Sequence, residues 1–264
     1  MSLKIEVKSP NAALKAQREA AARRVIGYFY LFLPQSRLLC FLDDKDPCML
    51  RDELGPENRG LYGPIHDNTR MNGWPEDVTS RIYVYDDVAH ISVRVIDDLI
   101  YLYGSTCDDE VGLTMTLAHE IQHAVQHSTV RLLWAANSLA LKLCPKVKGD
   151  LKLEWSDIPT EVEARIVSKR VAECLFGERR VREYIDKKIA EHISDDDVAD
   201  WNFILTLLPS SSVDLAGDTQ RLFLKLQGYR PELDAILREE KDKGNPDFNE
   251  IDLNAFFVPP RTAE

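Results

Sequence analysis

The run TLAHEIQHAVQ holds two histidines, His119 and His123, four residues apart, with Glu120 directly after the first. On an α-helix, residues i and i+4 share a face about 6 Å apart. Both imidazoles can therefore aim a nitrogen at one ion at the ~2.0–2.1 Å that zinc prefers. Glu120 is turned by about 100° around the helix axis, which makes it a poor ligand beside them but lets it reach a water on the ion. There it can act as general base while the water attacks a carbonyl. No glycine or proline interrupts the run. Thr114, Leu117, Ala118, Ile121 and Val125 recur at helical spacing, so a different face can anchor the helix in a core. Gly112 and Thr116 lie on the histidine side and leave room there. The competing reading is a solvated or core-satisfied histidine pair.

A hydrolytic zinc site needs a third protein ligand and an open fourth position. His127 continues the four-residue series, but eight residues beyond His119 is a rise of about 12 Å. It is expected at the surface or behind the ligands. The segment IPTEVEARIVSKRVAECLFG (158–177) offers two acids, Glu161 and Glu163, about 200° apart around a helix. Glu163 shares its side with Ile166, Val167, Val171 and Cys174, whereas Glu161 falls with Arg165, Ser168 and Ala172. An acid among apolar neighbours is costly unless something compensates it, so Glu163 is the expected third ligand. Two other roles stay open. Thr160-Glu161-Val162-Glu163 spells a capping box, and Glu161 suits the positive end of a helix dipole.

With these residues in place, the chain resembles the gluzincin metallopeptidases: HEIQH (119–123) is followed, after 39 intervening residues, by Glu163-Ala164, like the family's HExxH…E-A pattern. The resemblance implies a zincin-like fold and a zinc ion held by His119, His123 and Glu163. It also implies Glu120 as catalytic base, and HISVRV (90–95) as the strand along whose edge an extended peptide lies. The stretch LAHEIQHAVQ is also similar to the short signature of metallopeptidase domains in phage and mobile-element polyvalent proteins. One position departs from the thermolysin-like pattern: Val167 stands where an acid four residues after the glutamate ligand would orient a zinc histidine. Asp157, Glu154 or a backbone carbonyl are the substitutes in view. Tyr103, Arg165 and Tyr184 are the candidates for stabilising an oxyanion.

The elements that must position this chemistry follow from pattern. A helix is expected over 9–33, opened by Ser9-Pro10, with Leu14, Ala21, Val25, Tyr28 and Phe32 on one stripe. Residues 43–80 read as loop. RIYVY (81–85) and HISVRV read as a hairpin or neighbouring strands, a small sheet near 81–95 packed on the HExxH helix. Further helices are expected over 130–143, 158–176, 179–192, 196–207, 213–226 and 231–242, before a loop tail. The whole is an α+β fold, one domain over 1–264: the N-terminal helix, a catalytic core about 81–177 and a helical extension about 178–245.

The chain's 33 Lys+Arg stand against 44 Asp+Glu, a net charge of −11, which excludes a basic footprint for nucleic acid. The start, MSLKIEVKSP, has no apolar leader. The run VIGYFYLFL is too short to cross a bilayer and ends at Pro34. Five cysteines with no CxxC pair read as reduced thiols of a cytoplasmic protein. The expected function is a zinc peptidase acting on a peptide or protein substrate, with a further protein partner allowed. The rival is a non-catalytic binding or regulatory protein on the same scaffold.

Overall fold

The architecture follows from a computed structural model, which describes residues 2–9, 11–33, 36–43, 60–66, 76–86, 91–107, 109–147, 153–191 and 195–258. In chain order the strands are β1 (Ser2–Lys8), β2 (Arg37–Asp43), β3 (Gly60–Pro64), β4 (Tyr83–Asp86), β5 (Ile91–Arg94) and β6 (Asp98–Tyr103). The helices are α1 (Ala12–Tyr28), α2 (Glu76–Ile82), α3 (Glu110–Thr129), α4 (Arg131–Leu143), α5 (Pro159–Phe176), α6 (Glu178–Ala190), α7 (Asp195–Thr206), α8 (Leu215–Lys225) and α9 (Arg230–Asp242). The fold is α+β, with short 3₁₀ turns between these elements.

The four-stranded sheet has the order β1-β2-β6-β3. β1, β2 and β6 run parallel, and β3 lies antiparallel on β6 with Tyr62 opposite Ile100. In β2, RLLCFLD, every residue after Arg37 is buried, and DLIYLY of β6 is buried throughout. Such unbroken runs are what a strand covered on both faces needs. One face packs on α1 and α3: Leu38, Cys40, Leu42, Ile100 and Leu102 meet Ala22, Val25, Leu113, Leu117 and Ile121. The other face packs Leu39, Phe41, Leu99 and Tyr101 against Val78 and Ile82 of α2.

Two sequence expectations need correction. The hairpin β4–β5 forms, Tyr83 opposite Arg94, but as a separate two-stranded ribbon. The strand lying against α3 at the sheet edge is β3, in a stretch read as loop, and HISVRV does not occupy that place. Second, α1 starts after Asn11, whose Oδ1 accepts from the N–H of Ala13 and Leu14 at 3.0 and 3.1 Å. It ends at Tyr28, so the stripe does not continue: Phe32 is exposed while Ile26, Phe29 and Leu33 are buried. LKIEVK at the N-terminus, for which the sequence reading named no element, is a sheet strand, paired through Val7 and Leu42.

The HEIQH helix forms as its pattern requires. Asp109 caps it, Oδ1 accepting from Val111 at 2.8 Å and Gly112 at 3.2 Å. Gly112 lies against the Tyr184 hydroxyl, and a Cβ there would collide with it. A glycine is what lets α6 come this close to α3. The C-terminal helices match their expected spans to within two residues. α4, α8 and α9 share a separate apolar cluster with Phe248, Ile251 and Leu253 of the tail, which is folded rather than loose.

Candidate metal centre

α3 and α5 cross at the site, and each delivers its residues from local geometry. His119 and His123 stand on successive turns of α3, ring centroids 4.6 Å apart and planes 89° to one another. Their Nε2 atoms approach to 3.0 Å. From α5 comes Glu161, in the first turn. Its Oε2 lies 3.3 Å from His119 Nε2 and its Oε1 3.3 Å from His123 Nε2. His123 and Glu161 are buried, and His119 is half-buried.

The two Nε2 atoms stand 3.0 Å apart, and each lies 3.3 Å from its own oxygen of the Glu161 carboxylate. Ligands each about 2.0–2.1 Å from a tetrahedral ion stand about 3.3 Å apart, so the spacing of the three side chains suits one such ion. Hydrogen bonds alone serve this set poorly. Each Nε2 carries either one proton or one lone pair, aimed at one point, yet faces two of the other donors. A cation at the centre of the set satisfies all three, and among the described residues this is the group able to hold a metal ion.

Glu163 does not join them. Its Oε2 accepts from Gln122 Nε2 at 3.0 Å and Gln126 Nε2 at 2.8 Å. The expectation that Glu163, rather than Glu161, faces the imidazoles is therefore corrected. The apolar side of α5 was the wrong guide. Arg165, Ser168 and Lys169 are buried, because α7 and the segment after it cover that polar side. Arg165 Nε donates to Asp200 Oδ1 at 2.9 Å, and Lys169 Nζ donates to the carbonyls of Leu205 and Leu207 at 3.1 and 2.6 Å. Cys174 on the Glu163 side is exposed. The capping box is not formed either: Ile158 is the N-cap, with Pro159 in the first turn.

Electrostatics favour an ionised Glu161. Burial opposes its charge, but His123 and His119 outweigh burial and hold the carboxyl well below its usual range. For His123 burial likewise opposes the charge. Glu161 overcomes it, with Glu120 and Gln126 adding, and the imidazole is pushed up to about 9. Glu120, also buried, is raised above the usual carboxylate value. Burial dominates there, the two histidines pull back, Glu161 adds to the rise, and the Tyr62 backbone N–H lowers it. A carboxylate base with a raised pKa suits proton transfer.

Of the candidates for oxyanion support, only Arg165 reaches the cluster, with Nη1 3.2 Å from Glu161 Oε2. Tyr103 is in the core against Tyr101, and Tyr184 packs on Trp201. Asp157 and Glu154 cap their own 3₁₀ turn, the Glu154 N–H donating to Asp157 Oδ2 at 3.1 Å. What stands behind His123 is instead Gln126, whose Oε1 is 2.8 Å from Nδ1. Its position three residues on, one turn along the same face, was a signal the motif reading did not use.

His127 lies apart from the ligand set, in a second polar cluster. Its Nδ1 is 2.8 Å from the Tyr62 hydroxyl, which donates to Asp98 Oδ1 at 2.7 Å. Its Nε2 is 2.9 Å from Asp247 Oδ1, and Asp247 also receives His66 Nε2 at 3.0 Å and Arg131 Nε at 2.8 Å. Burial opposes the Asp247 charge, yet His127 and His66 hold its carboxyl far below the usual range. This cluster ties the tail to the sheet edge at β3 and to the end of α3. Asp247→Asn is expected to cost about 2–3 kcal/mol, less than a wholly buried pair because Arg131 and both rings reach solvent. A group whose folded pKa is depressed contributes above its unfolded value and loses that contribution as pH falls through the folded one. Urea unfolding should thus show the wild-type advantage at pH 7 and its decline in acid.

Among the described residues, no helix is long and apolar enough to cross a membrane. No protein-family model and no curated protein matches this chain.

Proposed function

We infer that this protein is a zinc-dependent peptidase of zincin type, with His119, His123 and Glu161 as ligands and Glu120 as general base. The observation that carries the reading is the convergence of two imidazole nitrogens, 3.0 Å apart, on the Glu161 carboxylate at 3.3 Å each, beside a buried carboxylate, Glu120, with a raised pKa. Two imidazoles and one carboxylate are a donor set that zinc accepts in hydrolytic sites. The ion's contribution when bound is Lewis acidity toward a carbonyl and a nearby water.

The chain's own residues do the rest. Glu120 takes the proton of the attacking water and can return it to the leaving amine. The 6 % exposure of Glu161 and 7 % of Glu120 keep bulk water away from both carboxylates, which strengthens their interactions. β3 is an edge of the sheet and its Tyr62 N–H touches Glu120. An extended peptide paired along that edge would run past the site, and this is the substrate class the reading assigns. A cytoplasmic setting belongs to the same reading, since Cys40, Cys144 and Cys174 are free thiols.

The test is metal content. Protein purified and dialysed after incubation with zinc should carry one ion per chain by mass spectrometry. A chain that takes up no zinc, cobalt or manganese would leave the scaffold reading, a non-catalytic binding protein, in its place.

A further inference from the structure

Gln126 is buried to 1 % exposure, yet all of its amide is used. Its Nε2 faces two oxygens, the Thr160 carbonyl at 3.0 Å and Glu163 Oε2 at 2.8 Å. A backbone carbonyl only accepts. The amide nitrogen must therefore stand on that side, and the oxygen must face His123 Nδ1 at 2.8 Å. An amide oxygen also only accepts, so Nδ1 must carry the proton. In the neutral ring that a bound cation requires, that one N–H stays on Nδ1 and leaves the Nε2 lone pair directed at His119 and Glu161. The amide thus selects the ring tautomer a metal needs.

The same side chain spans both helices. Thr160 and Glu163 bracket Glu161 in the first turns of α5, while Gln126 stands one turn beyond His123 on α3. Glu163 is itself held from α3 by Gln122 Nε2 at 3.0 Å. We propose that Gln126, anchored by Glu163, is the positioning residue of the metal centre. It sets the protonation site and orientation of His123 and the distance between that ring and Glu161. This rests on the metal reading of the site, and it fills the place left open by Val167.

The test compares zinc affinity, by competition with a chromophoric chelator, in wild type, Gln126→Ala and Gln126→Met, the last keeping the side chain's length and bulk but offering no amide. Both variants are expected to bind zinc about 10–100-fold more weakly, the usual loss for a partner behind a metal histidine. The cobalt-loaded proteins give a readout that a purely structural role would not move: the visible d–d bands should shift in both variants. Wild-type affinity with unshifted bands in either variant overturns the inference. If Gln126→Ala does not fold, Gln126→Met decides alone: weakened binding with shifted bands supports the role, and wild-type affinity overturns it. Failure of wild type itself to take up zinc or cobalt is a different result, and it removes the metal reading together with this one.

Discussion

Glu120→Gln is expected to keep its metal and to lose peptide-bond hydrolysis by about 10²–10⁴-fold, the range ascribed to a positioned general base. The amide is nearly isosteric and sits in the same buried place beneath the Tyr62 N–H, so neither packing nor the ligand triangle should change. What disappears is the ability to accept a proton. The raised Glu120 pKa also sets a direction with pH. Activity should rise through an acid limb lying above the ordinary carboxylate range, because the base works only when ionised. That limb should be absent from whatever turnover the variant retains. Cleavage of a quenched fluorescent peptide mixture, followed against pH with zinc content measured alongside, reads both effects. Undiminished hydrolysis in a zinc-loaded variant would sink the assignment of the base.

The second large effect separates the two glutamates. Glu161→Ala should abolish stable zinc binding, a loss well beyond the 10–100-fold that an outer partner costs. It removes one of three donors and leaves two imidazoles alone beside Arg165. Glu163→Ala should retain zinc and weaken it only within that outer range, because Gln126 keeps its bond to the Thr160 carbonyl when Glu163 is gone. Isothermal titration of the metal-free proteins would rank them. Equal loss in both, or a larger loss at Glu163, is incompatible with the geometry in which only Glu161 reaches the rings.

Much of the frame was legible from local pattern. Asp109 ahead of an uninterrupted apolar period marks a helix start, and the four-residue spacing puts both rings of HEIQH on one face, because helical periodicity is a property of neighbouring residues alone. The five helices from α5 onward were readable for the same reason. The strands were legible only where they alternate. RLLCFLD and DLIYLY carry no period, since both faces of β2 and β6 are covered, and an unbroken apolar run does not say whether it is strand or buried helix.

What the amino-acid order by itself determined was that two imidazoles and an acid would stand together on α3. Which carboxylate meets them was decided only by the tertiary fold. On α5 the acid with apolar flanks, Glu163, looked buried, and the acid beside Arg165 looked solvated. α7 reverses this by packing over the polar side, where Asp200 pairs Arg165 and the carbonyls of Leu205 and Leu207 receive Lys169. A helix's hydrophobic stripe records which side chains can be buried at little cost. A polar side can be buried as well once distant segments supply its partners, and that burial is what brings Glu161 to the two imidazoles.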